Sequence, residues 1–174
     1  MKLPLILKKI QLSYNFFLKN YYKNKIEKRL LIKNINNEKI RLIFICHRPS
    51  VWGSLKTVFE ECIKDSRFEV FIIPIPNKKE LPKKGLKHNI FFSEGAETFF
   101  ENFNCKVING YDYNTKKWIN LKKLKPDYVF YQQPYNICRT PKFRSDSVSK
   151  YAKICYVHYG ILIFKGEVEK SVYP

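Results

Sequence analysis

Residues 40–64 read "IRLIFICHRPSVWGSLKTVFEECIK", and three physical regimes follow one another within that run. Residues 40–46 are apolar apart from Arg41. A continuous run, as opposed to an alternating one, is what a strand buried on both faces of a parallel sheet requires. His47, Arg48 and Pro49 then break it abruptly. After Gly53 and Ser54, the residues Leu55, Val58, Phe59, Cys62 and Ile63 recur at three- and four-residue steps. That spacing predicts a helix reaching about Lys64, with Ser54 as its cap. Strand, polar loop and helix in that order are the opening unit of an α/β sheet.

The chain downstream repeats the unit. Residues 68–75 form a second apolar run closed by Pro74 and Pro76, and a loop rich in Lys and Pro is expected over 77–89. Ser93 opens a predicted helix carrying Ala96, Phe99, Phe100 and Phe103. A short strand over 105–108 leads to an Asn109-Gly110 turn, and Trp118, Leu121 and Leu124 suit a short helix. A fourth strand over 127–132, a brief helix over 145–151 and a fifth strand over 152–157 complete the pattern. Strands alternating with helices at this spacing imply right-handed crossovers. The expected fold is a Rossmann-like, doubly wound parallel sheet of order 3-2-1-4-5, with the first strand central.

Upstream, Leu3, Ile6, Leu7, Ile10, Tyr14, Phe17, Leu18 and Tyr21 recur at helical steps, with Lys8, Lys9, Lys19 and Lys23 mostly off that face. Asn34, Asn36 and Asn37 mark a linker, which divides the chain into a basic amphipathic segment (1–38) and an α/β domain (39–174). Residues 1–39 hold ten basic side chains against Glu27 and Glu38, within a chain of 174 residues and net charge +18. Such a helix either lies on an anionic membrane surface or packs on its own or a partner domain. Charge of this sign also admits nucleic acid, but most aromatic residues fall at core-spaced positions instead of on a stacking groove, which disfavours it. No uncharged run approaches the roughly 20 residues of a membrane span. Five dispersed cysteines without a CxxC pair argue against disulfides and a zinc site, and for a reducing, cytoplasmic setting.

Ligands of parallel sheets gather where strands end and helices begin, at the C-terminal edge. Three loops are expected there. His47 to Ser54 offers Arg48 as an anion fork and Gly53 as a point of close backbone approach. Arg48 also reads as a surface arginine with its stem along Trp52. Gln132, Gln133, Tyr135 and Asn136 make an amide-rich corner suited to the hydroxyls of a polyol or sugar. His158, beside Tyr159 and Gly160, stands where a general base or a loop-bonded neutral histidine would. Neither a GxGxxG nor a P-loop pattern is present, so no cofactor and no metal are expected.

Four stretches, "FICHRPSVWGSLKTVFEEC" (44–62), "KVINGYD" (106–112), "KPDYVFYQQPYN" (125–136) and "YAKICYVHYG" (151–160), resemble in order and spacing the N-terminal part of the CDP-glycerol glycerophosphotransferase family. Its members build teichoic-acid and capsule-type polymers. The resemblance implies one Rossmann-like half of a GT-B-type enzyme working at the inner face of the cell membrane on a membrane-linked acceptor. It also implies that the donor, CDP-glycerol, is held mainly by a C-terminal half beyond this sequence. Other members carry Trp-His-Gly-Thr-Pro after the corresponding strand, its histidine serving as base. Here the match is Val157, His158, Tyr159 and Gly160, with the tryptophan replaced, a residue added before Gly160, and no Thr-Pro following. Beyond Ile163 the chain reads "FKGEVEKSVYP", which reads as a truncated half. The expectation is therefore an acceptor-side domain, inactive by itself. The alternative is a non-catalytic module of a split or degenerate gene that binds a membrane or partner.

Overall fold

The structure, a computed structural model, describes residues 5–83, 86–136 and 139–158. Helix α1 (Leu5–Ile35) leads into strand β1 (Ile40–Cys46), helix α2 (Gly53–Lys64) and strand β2 (Phe68–Pro74). Strands β3 (Asn77–Lys83) and β4 (Leu86–Phe92), helix α3 (Ala96–Phe100) and strand β5 (Lys106–Val107) follow. A ribbon of β6 (Tyr111–Asp112) and β7 (Lys117–Trp118) precedes β8 (Tyr128–Tyr131), α4 (Ser145–Val148) and β9 (Lys153–Tyr156).

The main sheet is five-stranded, wholly parallel and ordered β5-β2-β1-β8-β9, with β1 at its centre. This is the expected order of the five main strands. Alternate residues of β1 feed two cores, as the pleat demands. Ile43 and Ile45 join Phe71, Ile73, Val129, Tyr131, Phe143 and Val148 on one face. Leu42, Phe44 and Cys46 join Val70, Ile72, Trp52, Leu55, Phe59 and Phe100 on the other. The second core is largely aromatic. Phe44 stacks on Phe130 at 4.5 Å and meets Phe59 edge-on at 5.5 Å, while Trp52 meets Phe59 and Phe100 at 5.2 and 4.8 Å.

Several local expectations are corrected. The Lys- and Pro-rich stretch after β2 is an antiparallel ribbon, Asn77 pairing with Phe92 and Lys83 with Leu86. Pro82 is tolerated because both strands of a two-stranded ribbon are edges. Trp118 lies in a strand instead of a helix, pairing with Tyr111 and packing on Phe143 at 5.2 Å, and a 3-10 turn takes Leu121 to Leu124. Helix α3 starts at Ala96, after Ser93 has accepted the Gly95 N–H. Asn109-Gly110 forms no hydrogen-bonded turn: Ile108 and Gly110 donate to the Ile72 and Pro74 carbonyls along β2, and glycine is required because a Cβ on Gly110 would stand 2.6 Å from Ile75 Cγ2 and 2.9 Å from the Pro74 carbonyl oxygen.

Helix α1 runs well past the expected end, through Ile35, because Ile26 and Leu30 continue its apolar spacing without a Gly or Pro. It ends where Asn37 turns left-handed (φ 54°) and the Glu38 N–H reaches back to the Lys33 carbonyl, the capping geometry that asparagine tolerates. Its C-terminal half is docked on the sheet. Ile26 is buried, and Lys33 Nζ and Arg29 Nη2 lie 2.6 and 3.1 Å from the carboxylate oxygens of the fully buried Asp127. Asp127 also accepts the Arg41 N–H at 2.8 Å and bonds through its own backbone to Arg41 and Lys153, so α1, β1, β8 and β9 meet at one residue. Among the described residues no helix is long and apolar enough to cross a membrane.

Candidate functional site

At the opposite, C-terminal edge of the sheet, the β1 loop is held by one side chain from the loop after β8. Gln132 is 1% exposed. Its Oε1 accepts the His47 and Arg48 N–H groups at 2.9 and 3.0 Å, and its Nε2 donates to the Arg48 carbonyl at 2.5 Å. That uses both acceptor positions and one of the two donors of the carboxamide. Gln132 therefore shapes the site instead of presenting its amide to a ligand. From below, Trp52 anchors the same loop in the aromatic core.

Arg48 reaches across the loop to Glu94, Nε to Oε2 at 2.5 Å and Nη2 to Oε1 at 3.2 Å, and Asn77 donates to the same carboxylate at 2.9 Å. Burial pulls the Glu94 carboxyl up, but hydrogen bonds from Asn77 and Arg48 outweigh it and hold it below the usual carboxylate range. Arg48 and Glu94, with Pro49 and Ser50, line an open depression of about 460 Å³. A guanidinium beside a carboxylate is a donor–acceptor pair, matched to neutral hydroxyls better than to an isolated anion.

His47 lies beneath, 4% exposed, with no hydrogen-bond partner for its Nε2. Its pKa is lowered to about 4, by burial first and then by the Arg48 and Arg139 guanidiniums, with Glu94 and Gln133 opposing. The ring is neutral at physiological pH. Arg139, 3% exposed, lies over the Tyr131 ring at 4.0 Å and donates to the Gln133 carbonyl and, at 3.2 Å, to Asn136 Oδ1. Asn136 in turn accepts the Ser145 N–H at 2.9 Å, tying the β8 loop to the start of α4.

The structure thus brings His47, Arg48, Gln132 and Gln133 into one cluster, with Asn136 bracing it and Tyr135 exposed on the same loop. Gly53 and Ser54 fall in the first turn of α2, beside the cluster. Ser54 is not the cap: its hydroxyl donates to the Val51 carbonyl at 3.2 Å, and Trp52 stands at the cap position. A Cβ on Gly53 would meet nothing within 4 Å, so the protein's own packing does not require glycine there. His158 is exposed, follows β9 at the same edge, and lies 6.1 Å from the Tyr156 ring. Because Tyr131 pairs with Tyr156, His158 stands as far past β9 as Gln133 stands past β8. Tyr159 and Gly160 lie outside the described residues.

Sequence reasoning missed Glu94 and Arg139. Glu94 follows a ribbon that was expected to be a loop, and Arg139 is one cation among many, with only its place near Pro141 to mark it. Cys46, Cys62, Cys105 and Cys155 carry free thiols, and burial pushes the Cys46 thiol up, so it is chemically quiet. Cys138 lies outside the described residues. Among the described residues no group of His, Cys, Asp or Glu is arranged to hold a metal. No protein-family model, curated protein or solved structure matches this chain.

Proposed function

We propose that the chain is the acceptor-side Rossmann-like domain of a GT-B-type, CDP-glycerol glycerophosphotransferase-like enzyme. One observation carries the reading: two of the resembling stretches, 44–62 and 125–136, interlock through Gln132, Arg48 and His47 at the strand ends where such folds bind ligands. A third stretch delivers His158 to the same edge.

In this reading an acceptor hydroxyl of a membrane-linked polyol phosphate or glycan sits at the edge. His158 takes its proton as the oxygen attacks the glycerol-bearing phosphorus of CDP-glycerol, the P–O bond to the cytidylyl phosphate breaks, and CMP leaves. Arg48 and Glu94 offer a donor–acceptor pair to neighbouring hydroxyls, and Gln133, Tyr135 and Asn136 line the approach. Donor binding belongs to a second, C-terminal domain, so this chain alone turns over nothing. The basic residues of α1 add electrostatic attraction to the anionic inner leaflet of the cell membrane, placing the domain at that surface as a peripheral protein.

A second reading, a non-catalytic module binding a membrane or partner, is favoured by one feature. The Gln132 amide is already engaged within the loop, and Arg48 is shared with Glu94. Titration of short glycerol-phosphate oligomers into the isotope-labelled protein separates the two. Shifts at residues 47–54, 132–136 and 158, weakened by His158→Ala or Arg48→Ala, are the expected result. An unmoved edge would favour the second reading, and CMP release from CDP-glycerol by the chain alone would place the donor site here instead.

A further inference from the structure

Helix α1 is apolar on two sides, and the domain covers only one. Its docked side carries Tyr22, Ile26, Arg29, Leu30 and Lys33. On the other side Tyr14, Phe17, Tyr21, Asn24, Lys28, Leu31 and Ile35 recur at alternating steps of three and four, and all seven are exposed. Tyr14, Phe17 and Tyr21 are 57%, 67% and 51% exposed, and Leu31 and Ile35 are 59% and 69%. Alternating three- and four-residue steps are the heptad seam of a coiled coil. The same spacing runs on in the sequence through Ile10 and Leu7.

From this seam we infer that α1 pairs with α1 of a second copy of the chain, antiparallel, as a two-helix coiled coil. In the register that sets Asn24 against Lys28 of the other copy, Phe17 faces its Ile35 and Tyr21 faces its Leu31. The polar positions then pair with each other in two neighbouring layers, and Phe17, Tyr21, Leu31 and Ile35 meet apolar partners. Lone polar residues at such positions are a known device for selecting register. Covering the exposed parts of Phe17, Tyr21, Leu31 and Ile35 on each copy removes roughly 1,000 Å² from water, about the least that a specific interface buries. The pairing is isologous, and the docked side leaves both domains clear of it. A bilayer fits the seam less well. The centre of the seam holds Asn24 and Lys28, whereas a helix lying in a leaflet carries its Asn and Lys on the opposite, polar face.

The inference is independent of the catalytic reading. Sedimentation equilibrium on residues 1–174 tests it, with circular dichroism as a check on folding. A dimer is expected by about 100 μM. The double variant Phe17→Gln, Leu31→Gln, which keeps good helix formers, is expected to be a folded monomer. Asn24→Glu, placing a carboxylate against Lys28 of the other copy, should tighten the dimer at least about twofold at low salt. A wild-type monomer at that concentration overturns the inference. So does a double variant that remains dimeric, and so does weakening by Asn24→Glu. A monomer whose binding to phosphatidylglycerol vesicles is lost in the double variant would hand the seam to a bilayer, which also overturns it.

Discussion

Gln132 grips Arg48 at both ends of its backbone, accepting the N–H at 3.0 Å and donating to the carbonyl at 2.5 Å. A side-chain amide thereby does for the loop what a neighbouring strand does inside the sheet, and it extends the β1–β8 pairing beyond the last true ladder bond. The β1 loop is held to the β8 loop by this substitution of a side chain for a strand.

Replacing Gln132 by Leu keeps the volume and removes every one of these bonds. The buried His47 N–H and the part-buried Arg48 N–H lose their acceptor, the first costing about 1–3 kcal/mol and the second less. The expected loss is about 2–4 kcal/mol in urea unfolding, with faster amide exchange at His47 and Arg48. Unchanged exchange at those two amides would mean the loop stands without the clamp.

His47 titrates near 4 in the folded chain and near 6.5 when unfolded. Between these values the unfolded state holds the extra proton, so stability rises with pH through the window and is lost as pH falls from about 6.5 to about 4. The full effect is about 3 kcal/mol. Urea unfolding at the two ends of the window should show it, and His47→Gln should flatten that part of the profile.

Asp127 joins α1 to the sheet. Asp127→Ala strands Arg29 and Lys33, both partly solvated, so the cost is about 2–3 kcal/mol and not the full range of a buried pair. Truncation should divide the helix in two. Removing residues 1–25 retains Ile26, Arg29 and Lys33 and leaves the domain folded, whereas removing 1–37 destabilises it. The shorter deletion should also abolish binding to anionic vesicles if the lysines hold the surface. Thermal unfolding and vesicle co-sedimentation of both forms check this, and equal melting of the two would show that α1 does not support the sheet.

Gly110→Ala pushes a methyl group into Ile75 and the Pro74 carbonyl. Overpacking of this kind costs about 1–3 kcal/mol, visible as a lowered denaturation midpoint. Gly53→Ala, with open space around it, should leave stability nearly unchanged. If the site reading holds, it should nonetheless weaken binding of glycerol-phosphate oligomers.

Glu94→Gln removes the carboxylate that shares Arg48. Affinity of the depression for inorganic phosphate should rise several-fold, read by phosphorus NMR titration. Weaker phosphate binding would mean that Glu94 is needed to hold Arg48 in place.

The sequence by itself determined the sheet. Burial on both faces demands a continuous apolar run, and residues 40–46 satisfy that demand better than any other stretch, so the central strand, the parallel class and the strand order were legible. The strand ends at the C-terminal edge were legible for the same reason, since a strand's end is marked by the residues that stop it, although the stretch after β2 folds as a ribbon instead of a loop. What only the tertiary structure decided was pairing between residues far apart in the chain. Arg48 with Glu94, Gln132 with the β1 loop, Arg139 with Tyr131, and Asp127 with α1 each depend on where a crossover returns the chain. The helix α1 shows the division within one element. Its apolar periodicity is local and could be read from the sequence, but which side meets the domain was settled by the burial of Ile26 and by a buried carboxylate 94 residues away from Lys33. Local spacing sets what a segment can bury, and only the folded chain supplies the charge that selects the face.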